Sequence, residues 1–202
     1  MSKINLSELK LINELEDIGF RIMDSQVTYT YKLANFKTNC GNIFKNPVTV
    51  RSFIPEDLES VVAILEESFK NYGHYFADER LGKKECLDIY TDWGRRSCLD
   101  SSVADIVFVA EDQNRVAGML SFKKYRKDDK VYAAGGLGAV SSFFRGRDVF
   151  KQIAVKGLEW GMENKFDWVE HNVLTTNFPV NGAFSSLGFK VSNSFITMHC
   201  WL

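Results

Sequence analysis

The chain has 202 residues, 45% of them hydrophobic and 25% charged, with a formal net charge of −1. That size and mix suit one globular domain, or one with a small addition, and fill a core. The near-neutral balance excludes a broad basic field for nucleic acid, and no run approaches the roughly 18 apolar residues that cross a bilayer, so neither nucleic acid nor a membrane is an expected partner.

Residues 6–18 carry Leu9, Ile12, Leu15 and Ile18 three apart, a helical stripe closed by Gly19. Val27, Tyr29, Tyr31 and Leu33 alternate with polar residues, which predicts a half-buried strand. Asn35 to Pro47 is rich in turn residues and reads as a connector. Residues 1–46 are therefore expected to be a helix–strand appendage to a domain at 47–202. That domain opens with a strand at 48–53 and a helix begun by Pro55, Glu56 and Asp57, with Leu58, Val61, Val62, Leu65 and Phe69 on its apolar face. A helical stretch at 71–97 has an aromatic-rich entrance. Strands follow at 106–110, 116–125 and 131–140, divided by turns at 112–115 and 127–130. The order ends with a helix at 149–163, a strand at 168–173, a short helix at 177–187 before Gly188, and a strand at 191–202. The fold class is α/β (α+β), with one mixed sheet.

The first residues lack the apolar core of a signal peptide, and a cytoplasmic location is expected. Cys40, Cys86, Cys98 and Cys200 form no C-x-x-C pair, and His74, His171 and His199 miss zinc-finger spacings, so reduced thiols and no metal are expected. Cys200 has no partner fixed beside it that would make it a nucleophile. The Gly135-Gly136-x-Gly138 run lies inside a strand, which excludes a dinucleotide fingerprint.

Phe144-Arg145-Gly146-Arg147-Asp148-Val149-Phe150 lies between a strand and a helix. Backbone N–H groups at such a helix start, with two arginines beside them, suit an anion such as a pyrophosphate. This stretch resembles the coenzyme A pyrophosphate loop, Arg/Gln-x-x-Gly-x-Gly/Ala, of the GNAT acetyltransferases. Arg145 matches its first position, while Asp148 and Phe150 stand where the family has small residues. A carboxylate there opposes a pyrophosphate unless it points away. Residues 50–58 and the run Asn177 to Phe189 resemble two further GNAT segments, and the likeness spans about 48–202. The entrance Asn71 to Leu81, the residues Tyr90, Trp93, Ser97 and Cys98, the ending Thr197 to Trp201, and Gly19 to Asp24 are similar to dTDP-fucosamine acetyltransferase-like enzymes.

The resemblance implies transfer of an acetyl group from acetyl-CoA to the amine of a small acceptor, a nucleotide-linked deoxy amino sugar used for surface polysaccharide. It implies a sheet that is largely antiparallel, with two parallel strands splaying apart near Val140 and Val173 to admit the coenzyme. Ala139, Val140, Arg145, Gly146, Arg147, Asp148, Val149, Phe150 and Asn177 would hold the coenzyme, with the Val140 N–H polarising the thioester. Phe184 stands where relatives carry an acid tyrosine, so either the thiolate leaves unassisted or another group serves, with His199 and His74 the titratable candidates for catalysis. His74, Tyr75, Asp78, Arg80 and Trp93 would read the acceptor, while His171 is expected to be structural. Another amine acceptor, or a degenerate fold that binds without catalysis, remains an alternative. A homodimer paired through the amino-terminal segment or the last strand is compatible with the sequence.

Overall fold

The computed structural model describes residues 1–36 and 44–201. Eight strands form one mixed sheet: β1 (Ser2–Asn5), β2 (Arg21–Lys32), β3 (Thr49–Ser52), β4 (Ile106–Asp112), β5 (Arg115–Lys127), β6 (Lys130–Val140), β7 (Trp168–Leu174) and β8 (Lys190–His199). Their spatial order is β1-β8-β2-β7-β6-β5-β4-β3. Neighbours are antiparallel except β6 and β7, which run parallel. The helices are α1 (Leu9–Asp17), α2 (Leu58–Ser68), α3 (Gly73–Ala77), α4 (Lys83–Leu99), α5 (Val149–Glu163) and α6 (Phe178–Ser186).

The two faces of the sheet have separate cores. Val149, Ile153, Ala154 and Leu158 of α5 pack with Phe184 of α6 on Phe122, Val169 and Tyr29. Each of the larger aliphatic and Phe side chains among them contributes about 2 kcal/mol. On the other face, Val61, Ile64 and Leu65 of α2 and Tyr90 of α4 cover Val107, Met119 and Ala139. The apolar stripe read for α2 is thus buried at Val61, Val62, Leu65 and Phe69. Beyond the α5 core, Ile12 of α1 packs on Ile4, Ile196 and Met198.

Several boundaries differ from the sequence expectation. The stripe of α1 is mostly exposed, Leu9 at 62% and Ile18 at 68%, and Ile12 is its buried residue. The stretch 71–97 is two helices. Asp78 breaks it by accepting the Arg80 N–H at 3.1 Å, an Asx-type turn that competes with helix continuation. The last strand stops at His199. Cys40, and part of the expected connector at 35–47, lie outside the described residues.

Residues 1–46, expected as an appendage, contribute two strands to the sheet itself. β2 lies between β7 and β8 and pairs with both, so the ladder crosses the boundary placed at 46/47. The β6–β7 ladder ends at Gly135 and His171, although β6 continues to Val140 and β7 to Leu174. Beyond that point the strands part, and β6 faces the gap with backbone that β7 does not pair.

Candidate active site

A cleft of about 740 Å³ opens where β6 and β7 part. Gly135 to Gly138 and His171 to Leu174 form its base. Phe150, Asn177 and Phe184 close one side; Tyr72, His74, Tyr75, Tyr90 and Trp93 line another. The glycines have steric reasons to be there: a Cβ on Gly135 would run into the His171 ring, and one on Gly138 would meet Leu120 at 2.6 Å. Here β6 bulges: Gly136 and Leu137 both stand opposite Ser121 of β5, whose Oγ donates to Leu137 O at 3.3 Å.

The two candidate catalytic histidines touch. His74 on α3 and His199 at the end of β8 are 125 residues apart, yet His74 Nδ1 lies 3.0 Å from His199 Nε2. His199 Nδ1 lies 2.8 Å from Asp78 Oδ2, which also accepts the Trp201 indole N–H at 2.7 Å. Asp78 is 3% exposed and His199 6%. Burial alone would raise the Asp78 pKa. Hydrogen bonds from Trp201, His199 and the Arg80 amide outweigh it and bring it down to about 2.

An ionised Asp78 accepts only, so His199 Nδ1 carries a proton, and in the neutral imidazole Nε2 is then a lone pair. That lone pair accepts from His74 Nδ1–H. The network thereby leaves Nε2 as the basic nitrogen of His74, the half-buried member that lines the cleft. Burial draws the His74 pKa below its ordinary value, opposed by Asp24 and helped by His199 and Lys3. His74 is therefore neutral, and able to take a proton, near neutral pH.

The same geometry revises two acceptor-contact expectations. Asp78 sits behind the histidines, against His199, and is not among the residues that line the cleft, whereas His74 is. Arg80 stacks over Trp201 at 5.6 Å and stays 3.9 Å from Asp78, outside the residues that line the cleft. Tyr75 and Trp93 do line it, with Trp93 41% exposed. Tyr72, not singled out for a role from sequence, brings a phenol into the cleft that Asn177 also lines. Burial raises the Tyr72 pKa and keeps it protonated.

No family model matches the chain, and no curated protein does. Solved structures match over almost its whole length. A GCN5-related N-acetyltransferase from Sphaerobacter thermophilus is 16% identical, with a TM-score of 0.62 over 97% of this chain and 57% of that one. A GNAT-family acetyltransferase from Colwellia psychrerythraea is 12% identical, with a TM-score of 0.59 over 97% of this chain and 63% of that one. The GCN5-related glucosamine N-acetyltransferase region of a fungal multi-domain GH3 β-N-acetylglucosaminidase is 14% identical, with a TM-score of 0.66 over 96% of this chain and 23% of that one. The fold is the GNAT fold. This chain spans less than two thirds of the length of each of those three structures.

The coenzyme is expected from the sequence to lie between the parted strands and against the loop between β6 and α5. The first intrahelical bond of α5 runs from Gln152 N to Asp148 O at 3.1 Å, so the N–H groups of residues 149–151 precede any i−4 acceptor within the helix. Asp148 adopts φ 58° and ψ 15°, a left-handed conformation, and its carboxylate pairs with Lys151 at 3.0 Å. Gly146 is also left-handed, at φ 77°. Arg145 donates to Val140 O at 3.2 Å and to Ser68 Oγ at 3.4 Å. Arg147 lies over the rings of Phe143 and Phe144 and 3.8 Å from Asp112.

One loop amide is already occupied: Ser142 N–H donates to the Glu67 carboxylate at 3.2 and 3.3 Å. Val149 is 2% exposed and anchors the helix start through the core, so its side chain packs away from any ligand. Asn177 caps α6 by accepting from Val180 N at 3.4 Å. Ala139 and Val140 lie beyond the glycine stretch on the part of β6 that β7 does not pair, and the Ala139 side chain is buried against α2 and α4. Phe184, 1% exposed, stacks on His171 at a 4.4 Å centroid distance. His171 is buried and burial pushes its pKa down to about 3; its Nε2 is the buried side-chain polar atom without a partner among the described residues. Among those residues no group of His, Cys, Asp or Glu forms a metal site, and no helix is long and apolar enough to cross a membrane.

Proposed function

We propose that this chain is an N-acyltransferase that moves an acetyl group from acetyl-CoA to the amine of a small acceptor, a nucleotide-linked deoxy amino sugar. The Asp78–His199–His74 chain opening into the cleft of a GNAT fold is the observation that carries this reading. The residues present fit the donor: an unpaired β6 backbone, a helix start and Arg145 lie along one path. When bound, acetyl-CoA supplies a thioester whose C–S bond breaks as the N–C bond to the acceptor forms.

The chain supplies proton handling and position. An ammonium has no lone pair, so His74 Nε2 first takes a proton from the acceptor nitrogen. His199 shares the resulting positive charge through the 3.0 Å contact, and Asp78 balances it. Tyr72 replaces the missing phenol at Phe184 as the proton donor to the leaving sulfur. The nitrogen's second proton then restores Tyr72, so one proton is released per amide formed. Between Gly136 and Val140, the β6 N–H groups that face the β7 side offer donors to the thioester oxygen. Tyr75 and Trp93 present aromatic faces to a sugar ring. The fungal glucosamine N-acetyltransferase region of the same fold favours an amino sugar as acceptor class.

Calorimetric titration with acetyl-CoA, followed by thiol-release assays over a panel of nucleotide-linked amino sugars, tests the reading. Micromolar donor binding and turnover with at least one such sugar are expected. No donor binding up to millimolar concentration would overturn the transferase reading. Turnover with simple amines but with no nucleotide-linked sugar would overturn the acceptor.

A further inference from the structure

The cleft has a wall that this proton chemistry leaves unused, and it comes from the amino-terminal strands. Lys3 on β1 and Asp24 and Gln26 on β2 line the same cleft as His74. The sheet register sets them in a row. Thr197 on β8 pairs with Lys3 on one side and with Asp24 on the other, so the two charged residues are two strand spacings apart, about 10 Å between Cα atoms. Within β8, Thr197 and His199 alternate with Ile196 and Met198, which point into the α1 core. The row Lys3–Thr197–Asp24 therefore lies on the histidine face of the sheet.

A neutral amide holds the two charges without cancelling them. Lys3 Nζ donates to Gln26 Oε1 at 3.0 Å, and Gln26 Nε2 donates to both oxygens of Asp24 at 3.4 and 3.3 Å. The Phe195 ring supports the ammonium from 4.7 Å. Among the described residues neither Lys3 nor Asp24 makes a direct ion pair. Arg51, by contrast, is fully engaged by Asp57 and Glu111 at 2.7 and 2.6 Å. A cation and an anion held side by side by a bridging amide suit a ligand that carries the complementary two charges. Lys3, Gln26 and Asp24 share the lining of the cleft with His74.

We propose that Lys3, Gln26 and Asp24 form the acceptor subsite: Asp24 takes the acceptor's ammonium beside His74, and Lys3 takes a phosphate or carboxylate on the same molecule. This rests on the acyl-transfer reading and narrows its acceptor to a small amine bearing an anionic group. Gln26 is a positioning residue that keeps the two charges apart and aimed.

Three matched sugars test it by calorimetry, in the presence of coenzyme A: galactosamine 1-phosphate with both charges, galactosamine with the ammonium, and galactose 1-phosphate with the anion. The doubly charged sugar is expected to bind at least about tenfold more tightly than either of the others. Lys3→Gln should reduce its affinity to that of galactosamine, and Asp24→Asn to that of galactose 1-phosphate. Equal binding of all three sugars, no binding of galactosamine 1-phosphate at millimolar concentration, or a preference that survives both substitutions would each overturn the subsite. The coenzyme A titration reports separately on the transferase reading: if it fails while the charge preference holds, the subsite stands and the acyl-transfer assignment falls.

Discussion

Side chain by side chain, the candidate site is a line of hydrogen bonds from a buried anion to a cleft. Asp78 gains its role through Trp201 and the Arg80 amide, which fix it as a carboxylate and point it at His199. Asp78→Asn keeps an acceptor oxygen but removes the charge that stabilises a protonated His74. Turnover should fall about a hundredfold with acetyl-CoA affinity unchanged, as for loss of a general base. The acidic limb of kcat/KM should also move to lower pH, because a histidine that loses an anion gives up its proton more readily. A matching loss of donor affinity, or an unmoved pH profile, would give Asp78 a purely structural role.

Asp148 invites a second substitution at the same scale. Its left-handed backbone carries a cost that glycine avoids, and Lys151 already draws its carboxylate aside. Asp148→Gly should raise stability by about 1 kcal/mol and tighten acetyl-CoA binding, measured by thermal unfolding and calorimetry. Weaker donor binding would instead make the carboxylate a working part of the loop.

Among the elements, what was legible in the sequence was what is local. The strands at 106–110, 116–125 and 131–140 announce themselves by apolar runs and charged turns, and the α5 start by its glycine and arginines. β1 was not legible, since four residues are too few for any period to show, and its place is set by β8 from the far end of the chain. Nor was the position of β2: alternation at Val27, Tyr29 and Tyr31 marks a strand but not its neighbours. His74 and His199 could be picked as titratable groups. That they touch, and that Asp78 faces inward, depends on pairings more than 100 residues apart in sequence.

The placement of β2 carries its own prediction. A fragment of residues 47–202 would expose the β7 and β8 edges and lose the buried Tyr29 and Leu33, about 2 kcal/mol each. Circular dichroism should show no cooperative thermal transition for that fragment, with recovery on adding residues 1–46. A cooperative transition near that of the full chain would mean that the amino-terminal strands only decorate the domain.

At the level of the whole molecule, the parting of β6 and β7 ties stability to pH. The gap is floored by an imidazole, His171, wedged between Gly135 and the rings of Phe122, Phe184 and Phe189. Burial holds its folded pKa near 3, against an ordinary value of 6.5. Because the folded pKa is the lower one, the unfolded chain binds a proton that the folded chain refuses. The stability this contributes is fully present above pH 6.5 and drains away as pH falls from 6.5 toward 3. Half-buried His74 acts in the same direction with a smaller reach, whereas the Asp78 contribution is lost only below its ordinary 3.8. Urea unfolding measured at falling pH, above the carboxylate range, should therefore show stability dropping with a slope approaching about 1.4 kcal/mol per pH unit for each proton taken up. In His171→Phe that slope should shrink by about one proton's worth, whatever the variant's stability at neutral pH. An unchanged slope would mean that the imidazole is hydrated or paired in solution, and that the floor of the cleft is wetter than its aromatic packing implies.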